Sequence, residues 1–204
     1  SNTYIESTGN LEVDIKFVLP ITNTLKTNMG LNLFNQRGNN INISFDDIIE
    51  PSLKTYNLDG KDINVSVRKL DKEGNNLIGI DDTNNIVYIG ITIYGLERGE
   101  YSLGLYGDGY KTVTTSVTLD DYSKRVSITN EKGMFEPGDV NSDDVIDDKD
   151  IDLMISHFGN YDSKFDLNRD GKVDLSDLNY VTASINSITK SISIVNTSYI
   201  MNSD

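Results

Sequence analysis

From its first strand-like segment to about residue 130 the chain alternates apolar and polar positions. Leu11, Val13, Ile15 and Phe17 are separated by Glu12, Asp14 and Lys16; Ile41, Ile43 and Phe45 by Asn42 and Ser44; Ile63, Val65 and Val67 by Asn64 and Ser66. A period of two puts the apolar set on one face of an extended strand, so these segments are predicted to be half-buried β-structure. Val87, Ile89, Ile91 and Ile93 line a longer strand. Tyr101, Leu103 and Leu105, then Val113, Val117 and Leu119, flank a Gly107-Asp108-Gly109 turn, and Val126 with Ile128 closes the series. Gly, Asn and Asp punctuate these runs at the spacing of an antiparallel sandwich. A segment of this length buries a sufficient core without disulfides or metals.

After the breaker cluster Glu136-Pro137-Gly138 the period changes. Ile151, Met154, Ile155 and Phe158, and later Leu178, Val181 and Ile185, recur at spacings of three and four, which predicts two short helices. Gly159-Asn160 is the expected stop of the first. The chain is therefore read as residues 1–136, a β-sandwich; residues 137–187, a small α-helical module; and residues 188–204, a C-terminal tail. In the tail, Ile192, Ile194 and Val195 suit an added strand or packing on the helical module, and Asn196 to Asp204 suit disorder.

Composition narrows the chemistry. The 204 residues are 37% apolar and 25% charged, ordinary for globular protein. Cysteine is absent, which excludes disulfides, thiolate nucleophiles and cysteine-ligated metals; His157 is the single histidine, which argues against a Ser-His-Asp triad or a His-rich metal site. The net charge of -14 has the wrong sign for a phosphate-binding surface and argues against nucleic acid. Ile86 to Gly95 is the longest nearly apolar stretch, too short for a membrane span and interrupted by Thr92. The chain opens Ser1-Asn2-Thr3, without initiator methionine or signal sequence, and is read as a fragment excised from a longer protein.

The acids are concentrated. Pro137 onward holds 13 of the 32 acidic residues and only 5 of the 18 basic ones. They fall into a tandem duplication in which Asp139–Asp150 aligns with Asp166–Asp177. Counting each copy from its first Asp, positions one, three, five, nine and twelve carry oxygen donors in both: Asp139, Asn141, Asp143, Asp147 and Asp150 in the first, Asp166, Asn168, Asp170, Asp174 and Asp177 in the second. With the position-seven carbonyls of Val145 and Lys172, each copy can wrap a hard cation, so the sequence predicts two Ca2+ ions. Position six requires a left-handed backbone, free for Gly171 and tolerated at a small cost by Asp144, which predicts somewhat weaker binding by the first loop. Position eight, Ile146 or Val173, is expected to join the loops through a short strand-like bridge. Neither loop has room for an incoming helix, because Pro137-Gly138 abuts the first and only Tyr161 to Phe165 precede the second.

Two resemblances follow from these residues. Val65-Ser66-Val67, the Asp71-Lys72-Glu73-Gly74-Asn75-Asn76 turn, Gly95 to Leu103 and Gly109-Tyr110-Lys111-Thr112-Val113 resemble Ig-like modules related to collagen-adhesin B domains and carboxypeptidase regulatory domains, over residues 62–129. The duplicated loops, the Asp at position twelve and the missing incoming helices resemble a dockerin, over residues 138 to about 187. An Ig-like module directly before a dockerin is similar to the X module–dockerin pairs of cellulosome-type assemblies, the type II ones especially.

The dockerin resemblance implies a bacterial, secreted or cell-surface protein, monomeric before docking, whose partner is a cohesin domain. It places partner choice on the helices and at loop positions ten and eleven: Asp148 and Lys149, and Leu175 and Ser176. Ile155, Ser156 and His157 against Thr182, Ala183 and Ser184 are further candidates, some of which must instead be core. The copies differ at positions ten and eleven, which implies one preferred docking orientation. A module of this size cannot supply its own core, so its folding is expected to be coupled to metal; each ion at about a hundredfold its Kd adds about 2.7 kcal/mol.

Three other functions compete with this reading. An enzyme is disfavoured because nearly all clustered acids lie in the loops, leaving no acid/base pair on the β half. A calcium sensor needs a helix pair that opens, and these units lack it. A carbohydrate-binding sandwich is the main alternative, with Tyr88, Tyr94, Tyr106 and Tyr110 as its stacking platform. His157 is read as a surface or rim residue.

Overall fold

In the computed structural model of the chain, residues 7–18, 28–45, 52–71, 73–75, 86–128 and 135–186 are described. Its contacts divide the chain into two units: Ser1–Asp108 with Thr112–Phe135, and Gly109–Lys111 with Glu136–Asp204.

Period-two segments in the first unit become strands because each ladder satisfies its backbone while one face is removed from water. In chain order the strands are β1 (Thr8–Val18), β2 (Met29–Phe34), β3 (Asn40–Ser44), β4 (Ser52–Leu58), β5 (Lys61–Leu70), β6 (Ile86–Glu97), β7 (Gly99–Gly107), β8 (Val113–Leu119) and β9 (Ser123–Ile128). They form a sandwich of two sheets, ordered β4-β5-β6-β1-β9 and β3-β2-β7-β8. Neighbours are antiparallel except β1 and β9, which run parallel with Asn10–Ile15 beside Ser123–Ile128.

Strand β6 is the spine of the larger sheet. Ile89, Ile91 and Ile93 stand opposite Ile15, Val13 and Leu11 of β1, and on the other side Ile91 and Ile93 face Val67 and Val65 of β5. These side chains are buried, as are Leu31 and Leu33 of β2, Ile43 of β3 and Leu103 and Leu105 of β7 in the second sheet. Each such side chain contributes about 1.5–3 kcal/mol by leaving water. Gly30 of β2 has no room for a Cβ, which would lie 2.6 Å from the carbonyl oxygen of Ile43 on β3 and 2.4 Å from the Tyr106 hydroxyl.

Strands β2 and β4 go beyond the set read from the sequence. In β2 the alternation of Met29, Leu31 and Leu33 with Asn32 is present but short. Strand β4 is an edge strand with Leu53, Lys54, Thr55 and Asn57 exposed and only Leu58 buried, so no apolar face marks it. Its ladder with β5, from Ser52 opposite Val67 to Leu58 opposite Lys61, makes it a strand. The side chains of Phe17 and Val87, residues Lys72 and Asn76 of the expected turn, and the tail from Ser187 onward lie outside the described residues.

The tyrosines read as one platform are separated. Tyr88 and Tyr94 lie on β6 at positions that alternate with its buried isoleucines, and Tyr94 is exposed. Tyr106 belongs to the other sheet and donates its hydroxyl to Asn42 Oδ1 at 2.6 Å. Tyr110 is buried in the second unit. No common sugar-stacking face joins them.

In the second unit the helical period is realised twice, as α1 (Asp148–Ser156) and as α2, residues 175–186. Val140, Ile146, Met154, Phe165, Leu167, Val173 and Val181 form its buried cluster, with Ile151, Leu178 and Ile185 packed against it. Helix α1 ends at Ser156, ahead of the expected stop, because His157 already caps it through its N–H; Gly159 then turns the chain with φ 81. No helix precedes either loop among the described residues: Asp162 instead accepts the N–H groups of Phe165 and Asp166 at 3.0 and 3.2 Å in a tight turn. His157 is half-buried. It stacks on Phe165 with ring centroids 3.9 Å apart, and its Nδ1 lies 3.0 Å from the Leu153 carbonyl oxygen.

The connection from β6 to β7 is tied by one side chain. Tyr101, buried on β7, donates its hydroxyl to the carbonyl of Glu97 at 2.5 Å, and burial, reinforced by the Glu97 charge, pushes the phenol up to about 12. Tyr101→Phe is expected to lower the stability of the sandwich by about 1–2 kcal/mol in urea denaturation, since it strands a partly buried carbonyl. The folded state holds the phenol proton more tightly than the unfolded state. Stability should therefore fall as pH rises from about 10 toward about 12, and this fall should be shallower in the phenylalanine variant.

Candidate metal centre

The two acidic repeats fold into the same hydrogen-bonded turn. In the first, both oxygens of Asp139 accept main-chain N–H groups, from Asp143 at 3.1 Å and Asp144 at 3.0 Å. In the second, Asp166 accepts from Asp170 at 3.1 Å and Gly171 at 2.9 Å. Position five repeats the device, with Asp143 accepting the Val145 N–H at 3.0 Å and Asp170 the Lys172 N–H at 2.9 Å. The residues whose carbonyls were assigned to the ion are thus pinned in the turn by their own amides. At position three, Asn141 and Asn168 each donate Nδ2 to the position-five carboxylate at 3.1 Å.

Position twelve closes each loop. Asp150 Oδ1 accepts from the N–H groups of Val140 and Asn141, and Oδ2 from Asp147; Asp177 accepts from Asn168 and Asp174 in the same sense. The residue that ends the loop thereby sits in the first turn of the following helix. Asp147 is the N-cap of α1, its carboxylate accepting the Lys149 N–H at 3.0 Å, and the exchange with Asp150 is a capping box. Asp174 plays the same part for α2 through the Ser176 N–H and hydroxyl, and these bonds lower its carboxyl below the ordinary value.

These constraints bring three carboxylates together in each loop, Asp139, Asp143 and Asp150 in one and Asp166, Asp170 and Asp177 in the other, with an oxygen of each within 4.8 Å of the others. Asp147 and Asp174 are not in these groups. Their oxygens serve the helix caps, which suits the position that often reaches calcium through water. The first and twelfth carboxylates are buried in both loops, and burial pushes all four up, partly offset by the main-chain N–H groups that point at them. Buried, mutually repelling carboxylates with only partial compensation fit a hard divalent cation. Held there, such an ion would supply the missing positive charge; Asp139, Asn141, Asp143 and Asp150, and their counterparts Asp166, Asn168, Asp170 and Asp177, would hold it.

The backbone adds what the spacing had not revealed. Position six is left-handed in both loops, with φ 66 at Asp144 and 84 at Gly171, and so is position four, with φ 59 at Ser142 and 56 at Arg169. Neither position-four residue is glycine, so composition gives no sign of this turn. The expected bridge between positions eight is not formed: among the described residues the Val173 carbonyl accepts the Gly159 N–H at 3.1 Å, and the isolated β-bridge joins Tyr110 to Pro137. Ile146 and Val173 instead share the buried cluster.

Of the residues assigned to a partner, Asp148, Lys149, Ile155, Ser156, Leu175 and Ala183 are exposed, Ile155 and Leu175 to 49% and 62%. Ser176 and Thr182 are half-buried and spend their hydroxyls within their own loop and helix. Ser184 is buried and donates to the Pro137 carbonyl at 2.6 Å, which makes it structural. Val145, Phe158 and Tyr161 add exposed apolar side chains in the same unit that no sequence pattern marks for a partner.

No family model and no curated protein matches the chain. Among solved structures it is similar to two crystal structures of a type II cohesin–X–dockerin complex from Acetivibrio cellulolyticus. With a C-terminal interface mutant the identity is 16%, the match covers 86% of this chain and 94% of that one, and the TM-score is 0.45. With an N-terminal interface mutant the identity is 17%, the coverage is the same and the TM-score is 0.44.

Left-handed φ at Asp144 gives a test of loop geometry. Asp144→Gly and Asp144→Ala remove the same charge and differ in one Cβ, so the glycine variant should bind calcium at the first loop about fivefold more tightly, the equivalent of about 1 kcal/mol. Calorimetric titration of the two variants checks this; equal affinities would mean that the left-handed turn is not required for binding.

Proposed function

We propose that the second unit is a dockerin that binds two calcium ions and, so ordered, docks on a cohesin domain. Through it the chain anchors or assembles an extracellular, bacterial multienzyme or scaffold complex. The observation that carries this reading is the pair of loops with one hydrogen-bonding scheme, each gathering three carboxylates against a helix N-terminus. The sandwich is read as the accompanying X module, an Ig-like domain without a catalytic role. Exposed Ile155 and Leu175, with Asp148 and Lys149, offer the apolar anchors and rim charges of a docking face. Different residues at loop positions ten and eleven favour a single orientation on the partner.

Metal dependence is tested first. Calcium chelation of the whole chain should abolish the thermal transition of the second unit and leave that of the sandwich in place, followed by circular dichroism and calorimetry. An unchanged melt would sink the metal-coupled reading.

Docking is tested by native gel shift against cohesins of different types, in calcium and in chelator. A shift with one type in calcium only is the expected result. Leu175→Glu should leave stability within about 0.5 kcal/mol, because the side chain is exposed, while weakening the complex at least about tenfold. Binding of the substituted chain at full strength would remove Leu175 from the docking face.

A further inference from the structure

The two loops share their internal bonding but not their surroundings. Gly109–Lys111 belongs by its contacts to the second unit. Its backbone is sewn to the residues that lead into the first loop: Tyr110 pairs with Pro137, the Gly138 N–H donates to the Gly109 carbonyl at 2.7 Å, and the Lys111 N–H donates to the Glu136 carbonyl at 3.0 Å.

The same three residues press on the second loop. At Gly109, with φ 74, a Cβ would lie 2.5 Å from both Leu167 Cδ2 and the Lys164 carbonyl oxygen, so backbone and loop touch where only hydrogen fits. Leu167, loop position two, is fully buried. The Tyr110 ring is buried beneath the Arg169 guanidinium, whose carbon is 5.6 Å from the ring centroid. Arg169 is the left-handed position-four residue, and its Nη1 donates to the carbonyls of Asp166 and Leu167 at 3.0 and 3.3 Å. Ring, guanidinium and the carbonyls of positions one and two therefore form a chain of contacts that ends on the first ligand residue. The first loop has Ser142 at position four, a side chain with no guanidinium to build the equivalent brace.

We propose that Tyr110 and Gly109 are positioning residues for the second metal loop: through Arg169 and Leu167 they favour the binding conformation of its first turn and so lower the cost of ordering it when the ion binds. This rests on the reading of the loops as calcium sites and adds a coupling that the twelve-residue pattern does not contain. Outer residues that orient ligands typically change metal affinity about 10- to 100-fold when replaced.

The whole chain, labelled with nitrogen-15, is titrated with calcium while the Asp144 and Gly171 amides report the first and second loops separately. Tyr110→Leu keeps an apolar side chain and the net charge; Gly109→Ala is an independent lesion on the same contact. In both variants the Gly171 transition should move to about 10- to 100-fold higher calcium, with the Asp144 transition shifted by less than about threefold. An unmoved Gly171 transition, or equal weakening of both loops, overturns the proposal. Absence of any calcium response in the parent chain would instead overturn the calcium reading together with the inference built on it.

Discussion

Like charges held close together and out of water are the constraint that shapes the second unit. Three carboxylates within 4.8 Å of one another, two of them buried, would drive the chain apart unless something supplied opposite charge. The protein meets part of that demand with its backbone: the amides at positions two, three, five, six and nine point inward onto position-one and position-twelve oxygens. Fixed dipoles cannot replace a full positive charge, and burial still pushes those carboxyls up. The starts of both helices are tied to these loops, because Asp150 and Asp177 accept the amides of the capping residues Asp147 and Asp174.

Stability in the sandwich rests on the opposite principle. Its spine is β6, whose isoleucines are matched by Leu11, Val13 and Ile15 on one side and by Val65 and Val67 on the other. Apart from the buried Lys69 of β5, the paired charges of the sandwich lie nearer the surface. Arg125 of β9 reaches Glu12 at 2.8 Å and Asp14 at 3.3 Å on β1, fastening the parallel edge of the larger sheet. At one end of the sandwich Asp59 accepts from Arg37, Asn35 and Asn39, and Lys61 pairs with Glu97; Asp59 and Glu97 are both held below the ordinary carboxylate range by these partners. Exposed pairs of this kind contribute little individually, and the network's effect is to fix the loops between strands.

Internal duplication does not make the two acidic loops equivalent. Gly171 relieves a strain that Asp144 retains, and Arg169 is braced by a buried ring where Ser142 has no counterpart. Two loops built from one twelve-residue pattern therefore differ in their surroundings because of residues far from the pattern.

The class of structure and the grouping of the acidic side chains were legible in the sequence. Alternation from Leu11 to Ile128 required strands, because only a period of two puts those residues on one face, and the spacing of Asp139 to Asp150 and of Asp166 to Asp177 required a turn that gathers oxygens. Local patterns of this kind act through neighbouring residues and are legible without the fold. Tertiary structure alone decided the rest. Strand β4 exists because β5 offers it a ladder, His157 stacks on Phe165, Asp147 and Asp174 cap helices instead of joining the carboxylate groups, and Tyr110 lies beneath Arg169. Each of these depends on contacts between residues distant in sequence or on which hydrogen bond wins locally, and no periodicity or spacing encodes that choice.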